Sequence, residues 1–142
     1  LIWSDENYYL VGWEQGGSGL RHYRVDRMHA LTVTSLPREG DASCKNFDLA
    51  EYGQKHFHMF SGREAKVRLR CENRFVNVML DRFGQEAMLI PDGKDHFTLT
   101  VDAVVSPQFY GWLFGLGHEV QLTAPDWAVE EYREMLEKAL EG

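Results

Sequence analysis

Apolar and polar residues follow two rhythms along this chain, and the change falls at Gly62. Before it, short apolar runs suit strands. Residues 8–13, with Tyr8, Tyr9, Leu10, Val11 and Trp13, combine aromatic and β-branched side chains, the composition of a pleated, half-buried strand. Gly16, Gly17 and Gly19 around Ser18 predict a hairpin loop, and residues 20–26 the returning strand. Residues 29–36 read as a third strand stopped by Pro37, and residues 38–46 as a polar loop. Asp48 predicts a helix over 49–55, because its carboxylate can accept the free backbone N–H groups of a first turn. This β-rich half suits a small barrel. Three strands are too few to close one, so its first strands are expected upstream of Leu1 and the chain is read as a fragment.

Past Gly62, longer elements alternate. Residues 66–71 alternate polar and apolar as a half-buried strand does. Phe75, Val76, Met79, Leu80 and Phe83 recur on one helical face, with Gly84 at the stop. Strands are predicted at 85–90 and 96–105 around a turn at 91–94. Ser106 and Pro107 form a strong helix start, since proline at the first helical position misses no hydrogen bond; Gly117 ends that helix. A strand at 118–122 and a helix from Pro125 to about Leu140 complete the pattern. The order strand–helix–strand–strand–helix–strand is that of the ferredoxin-like split βαβ unit. The expected class is therefore α+β, with domains at 1–62 and 63–142.

Composition narrows the function. Hydrophobic residues at 44% and charged residues at 26% describe a globular rather than a disordered chain. The formal net charge of −7 argues against a surface that binds nucleic acid generally, because such binding replaces phosphate counterions with basic residues. It leaves room for one basic pocket. Cys44 and Cys71 show no CxxC spacing, so reduced thiols in a cytoplasmic protein are expected. No apolar run approaches the ~20 residues that span a bilayer, and no membrane partner is expected. No nucleophile elbow, phosphate-cradling loop or zincin motif is present, and neither an enzyme nor a cofactor is expected. His56 and His58 stand two apart as a possible metal pair, but no Cys or carboxylate stands at ligand spacing; no metal site is expected.

The candidate chemistry lies in one basic stretch. Arg21, His22, Arg24 and Arg27 fall within seven residues. On a regular strand, Arg21, Tyr23, Val25 and Arg27 share one face, and His22, Arg24 and Asp26 the other. Guanidinium forks grip phosphate or carboxylate bidentately, and an intervening aromatic ring can stack a base. Tyr9, on the preceding strand, can add a ring or a hydroxyl. The bland reading is solvated or acid-paired arginines, with Asp26 bracing Arg24 or Arg27, and composition alone favours it.

A resemblance turns that balance. Tyr8-Tyr9-Leu10, followed by Arg21-His22-Tyr23-Arg24-Val25-Asp26-Arg27-Met28, resembles the signature of WYL-domain transcriptional regulators. Tyr8 stands where the family has Trp, Val25 where it has Leu and Met28 where it has Ile. Trp112 to Val120, followed by Pro125, resembles the C-terminal extension of the same regulators, where a W-x-L-x-x-G segment precedes a strand and a helix opened by Pro. The resemblance implies an SH3-like (Sm-like) small barrel in the first half. It implies a basic pocket for an anionic effector, in some members single-stranded nucleic acid or a nucleotide, with Tyr9, Arg21, Tyr23, Arg24 and Arg27 as its candidate residues. Duplex DNA would be read only by an N-terminal helix-turn-helix that this sequence lacks. A homodimer is expected, since such heads read paired half-sites. Phe109, Trp112 and Leu113 are expected to face the core and Tyr110 and Phe114 to point partly away toward a partner, unless the last helix or the first half covers them. The alternative function is a purely structural dimerisation module.

Overall fold

The computed structural model describes residues 1–14, 19–38 and 46–142. The chain divides into two compact units, Leu1–Gly53 and Gln54–Gly142. Both are mixed: among the described residues there are two antiparallel sheets and four α-helices.

The first unit is built on a meander of β1 (Ile2–Ser4), β2 (Asn7–Trp13) and β3 (Leu20–Arg24), in that order in the sheet. The tight turn between β1 and β2 places Asp5 and Glu6 at positive φ, 47° and 62°. The side chain of Asn7 braces it by donating to the Asp5 carbonyl oxygen at 2.6 Å. β1 is too short to leave a pattern in the sequence. The predicted glycine hairpin at 16–19 lies, except for Gly19, outside the described residues, as does most of the polar loop and Cys44. α1 (Leu49–Lys55) starts where Asp48 predicts: its Oδ1 accepts from the N–H groups of Ala50 and Glu51 at 2.9 and 3.0 Å.

Two expectations for this unit need correction. The strand expected over 20–26 stops at Arg24, and Val25–Arg27 forms a 3-10 turn closed by the Met28 N–H on the Val25 oxygen. Residues 29–36 form no strand: Leu31 and Val33 alternate as a strand's apolar face would and Leu36 falls out of step, no strand among the described residues pairs with them, and all three are exposed. Alternation marks a segment able to lie on a sheet; a partner edge makes it a strand. No closed barrel forms among the described residues.

The second unit has a single core. Its sheet has the order β5-β6-β4-β7, from β4 (Arg63–Glu72), β5 (Leu89–Asp92), β6 (His96–Val105) and β7 (Val120–Ala124). Every neighbouring pair is antiparallel. α2 (Val76–Phe83) joins β4 to β5, α3 (Pro107–Gly115) joins β6 to β7, and α4 (Asp126–Glu141) follows β7. Register decides the inner face: Val67, Leu69 and Cys71 stand opposite Val101, Leu99 and Phe97. These side chains meet Met79 of α2, Phe109 and Leu113 of α3 and Ala128 of α4 in one buried cluster. Lys66, Arg68 and Arg70 alternate onto the other face of β4, where Lys66 pairs with Asp102 and Arg70 with Asp92.

Caps set the helix ends. The buried Ser106 hydroxyl oxygen accepts the Phe109 N–H at 3.2 Å. Gly84, at φ 97°, ends α2 and donates its N–H to the Leu80 oxygen at 2.9 Å. The strand expected over 85–90 lies at Leu89–Asp92, and the last strand runs Val120–Ala124 rather than 118–122. Proline interrupts neither: Pro91 sits on β5, an edge strand, where a missing N–H goes unnoticed. Of the two outcomes expected for Tyr110, the structure shows the one in which the last helix covers it: its ring stacks on Tyr132 of α4 at 5.3 Å, and its hydroxyl donates to Glu131 at 2.7 Å. Phe114, one turn on, stays 64% exposed.

Two measurements check this core. Phe109→Ala removes a fully buried ring packed edge-on against Phe57, and should lower the stability of the second unit by about 3–5 kcal/mol in chemical denaturation. Burial pushes the Cys71 thiol up to about 12 from its ordinary 9.0. The unfolded chain therefore loses that proton first, so this contribution to stability is intact below pH 9 and is lost as pH rises toward 12. Alkylation mapped by mass spectrometry should leave Cys71 unmodified at neutral pH until denaturant is added.

Candidate functional site

Strand pairing sorts the basic stretch onto two faces. In the β2–β3 ladder Tyr9 stands opposite Arg24, Leu10 opposite Tyr23, Val11 opposite His22 and Gly12 opposite Arg21. Cross-strand partners share a face. Tyr9, His22 and Arg24 therefore lie on one side, which is half-buried, and Arg21 and Tyr23 on the other, which is exposed.

On the half-buried face, His22 and Tyr52 of α1 share a hydrogen bond of 2.6 Å between Nε2 and the hydroxyl. Beside them, Arg24 donates through Nη2 to the Asn7 side-chain oxygen at 2.6 Å, and through Nε and Nη2 to the Asp26 carboxylate at 3.0 and 2.7 Å. The hydrogen bonds from Arg24 hold the Asp26 carboxyl below the usual carboxylate range, and those same bonds raise the guanidinium further. The chelate also accounts for the end of β3, because the 3-10 turn is where the chain brings Asp26 back onto Arg24.

The exposed face has another character. Trp3 and Tyr8 are register partners whose rings meet edge-to-face at 4.7 Å, and both are more than half exposed. Leu10 and Tyr23 extend the apolar strip, and Arg21 ends it, its Nε 2.7 Å from Glu14. Arg27 is exposed in the turn, and its charge adds to the lowering of Asp26. The five candidates thus form a Tyr9–Arg24 pair on one face, an Arg21–Tyr23 pair on the other, and Arg27 beyond the strand end. The single face expected for Arg21, Tyr23, Val25 and Arg27 does not form, because β3 ends first.

Comparison with known families bears directly on this unit. The model of the WYL domain matches residues 1–33, which take in β1, β2, β3 and the Arg24 turn. The model of the WCX domain, the C-terminal extension of WYL proteins, matches residues 62–140, more than half of the chain. The chain belongs to the WYL-domain family of regulators. No curated protein matches it. WYL and WCX domains together mark a regulatory, sensing part of such a regulator.

Three residues of this WYL segment and its neighbourhood escaped the sequence reading: Asn7, Trp3 and Tyr52. Trp3 belongs to a three-residue edge strand with no periodic signal, Asn7 stands just before the apolar run at the start of β2, and Tyr52 reaches His22 from thirty residues away. Among the described residues, no group of three or more His, Cys, Asp or Glu side chains is placed to hold a metal ion. No helix there is long and apolar enough to cross a membrane.

The Arg21–Glu14 pair is exposed on both sides, so it should matter little to folding. Arg21→Ala is expected to shift thermal or denaturant stability by less than about 1 kcal/mol. That makes it a clean probe of binding.

Proposed function

We propose that this chain is the effector-sensing and oligomerising part of a WYL regulator, and that it binds an anionic effector of nucleotide or single-stranded nucleic-acid type. The observation that carries this reading is the state of the arginines on β3. Arg21 and Arg24 fall within the WYL match, and each guanidinium is held by an exposed carboxylate, Glu14 or Asp26. Such pairs are weak, and an incoming phosphate or carboxylate can replace them. Tyr23 adds an exposed ring beside Arg21, and Tyr8 and Trp3 continue the exposed rings along the same face toward its other end, as stacking of bases requires. The effector state would reach duplex DNA through a helix-turn-helix outside this chain, in the cytoplasm.

The remaining architecture belongs to the same proposal. The sheet order β5-β6-β4-β7, with helices after its first and third strands, supports a ferredoxin-like second unit. The β1–β3 meander supports an SH3-like barrel completed by further strands. Two copies would associate through the second unit, with the exposed Phe114 as one anchor.

A second reading, a structural dimerisation module without ligand, gains from one observation: Arg21 and Arg24 already have carboxylate partners. The two readings separate by titration. Arg21→Ala with Arg27→Ala should weaken binding of a short labelled single-stranded DNA. The salt dependence should flatten by about 0.7 in log–log slope for each phosphate the protein no longer neutralises. Unchanged affinity and slope leave the structural module standing. Sedimentation equilibrium checks assembly: a mass above the monomer's 16.4 kDa at micromolar concentration is expected, and a persistent monomer removes dimerisation through this chain.

A further inference from the structure

A groove of about 620 Å³ opens in the second unit between the start of β4, the β6–α3 junction and one side of α4. Its volume is that of a small-molecule site. Tyr110 and Val105 line it together with Trp127 and Met135. Gly62 also lines it, and a Cβ there would stand 2.0 Å from the Val105 carbonyl oxygen. Only glycine lets the chain enter β4 this close to the end of β6.

The polar groups of the groove are arranged in opposition. The Arg63 guanidinium carbon lies 4.1 Å from the centroid of the Trp127 ring. Among the described residues it has no carboxylate partner, and a guanidinium held over a ring keeps its in-plane N–H groups available. Glu131 receives the Tyr110 hydroxyl on Oε2, and the Tyr110–Tyr132 stack, with rings 11° apart, steadies that donor. Burial, reinforced by Glu131, raises the pKa of Tyr110, so the hydroxyl stays protonated. Oε1 of Glu131 is left for another donor. Glu134 and Lys138 face each other at 3.3 Å on the same side of α4.

These charges select a ligand. Arg63 and Lys138 cancel Glu131 and Glu134, so the groove is formally neutral while presenting both signs. A phosphate would meet two carboxylates, and a simple cation would meet two basic groups. A molecule of zero net charge with a separated anion and cation satisfies both, and an apolar portion would cover Trp127 and Met135. We propose that this groove is a binding site for a zwitterionic ligand of amino-acid type, a free apolar amino acid or short peptide, with its carboxylate on Arg63 and its ammonium on Glu131. The site is separate from the arginines of β3 and does not depend on their role.

The test is calorimetric titration and thermal shift on the 142-residue chain with L-leucine, L-phenylalanine and the dipeptide Leu-Phe. At least one should bind and raise the melting temperature. Its C-terminal amide and its N-acetyl form should each bind at least about tenfold more weakly, as removal of one charge-assisted hydrogen bond predicts. This comparison uses the unaltered protein, so it holds even if a variant folds poorly. Arg63→Ala should remove the penalty for amidation, and Glu131→Gln the penalty for acetylation. The proposal is overturned by no binding across the panel, by binding indifferent to capping, by binding of inorganic phosphate alone, or by folded variants that keep both penalties.

Discussion

The second unit depends on one constraint: β4 is hydrogen-bonded along both edges, to β6 on one side and β7 on the other. A strand so held cannot slip by one residue without turning its apolar set to solvent. Val67, Leu69 and Cys71 are all fully buried, and their register opposite β6 dictates where the helices must lie to cover them. The same register fixes Arg63 at the first position of the strand, opposite Val105 at the last of β6. The groove there is a consequence of where the ladder ends, since past it neither strand can pair further and side chains from α4 fill the margin.

What the sequence disclosed follows from which interactions are local. The Asp48 and Ser106 caps are satisfied within three residues, so residue identity and spacing suffice to find them. The long strands β4 and β6 announce themselves because one of their faces is buried or half-buried along most of its length. Residues 29–36 alternate only at Leu31 and Val33, have no pairing strand among the described residues, and stay irregular and exposed. Tyr110 shows a choice that local pattern leaves open. A helix wheel places it away from the sheet, and only α4, folded back after β7, supplies the ring and the carboxylate that cover it.

The basic stretch was legible as composition but not as geometry. Counting by twos assumes that the strand continues, and the Arg24–Asp26 chelate is a reason that it does not. A carboxylate two residues from an arginine is ambiguous in sequence, since it can lie along a strand or close a turn. Asn7, at the start of β2, settles it by taking a third bond from the same guanidinium. The outcome divides a cluster of five residues into two faces, with Tyr9 and Arg24 beneath and Arg21 and Tyr23 above.

That division has an electrostatic consequence. The chain carries a net charge of −7, so its long-range field repels polyanions, and any anion must be captured by short-range contacts. In the proposed function the β3 arginines would meet an anion in exchange for Glu14 or Asp26, a competition that would remove weak or badly shaped ligands. Arg24 is the harder to recruit, because three hydrogen bonds and a turn of backbone depend on it. Among the described residues, Arg21 has a single exposed carboxylate partner, and it stands at the end of an aromatic strip. Under the proposed function, the outer face would be the place of first contact. In the proposed function, a ligand that also recruits Arg24 would compete with the Asp26 bonds that close the turn at Val25–Arg27, and its occupancy would be felt at the end of the strand.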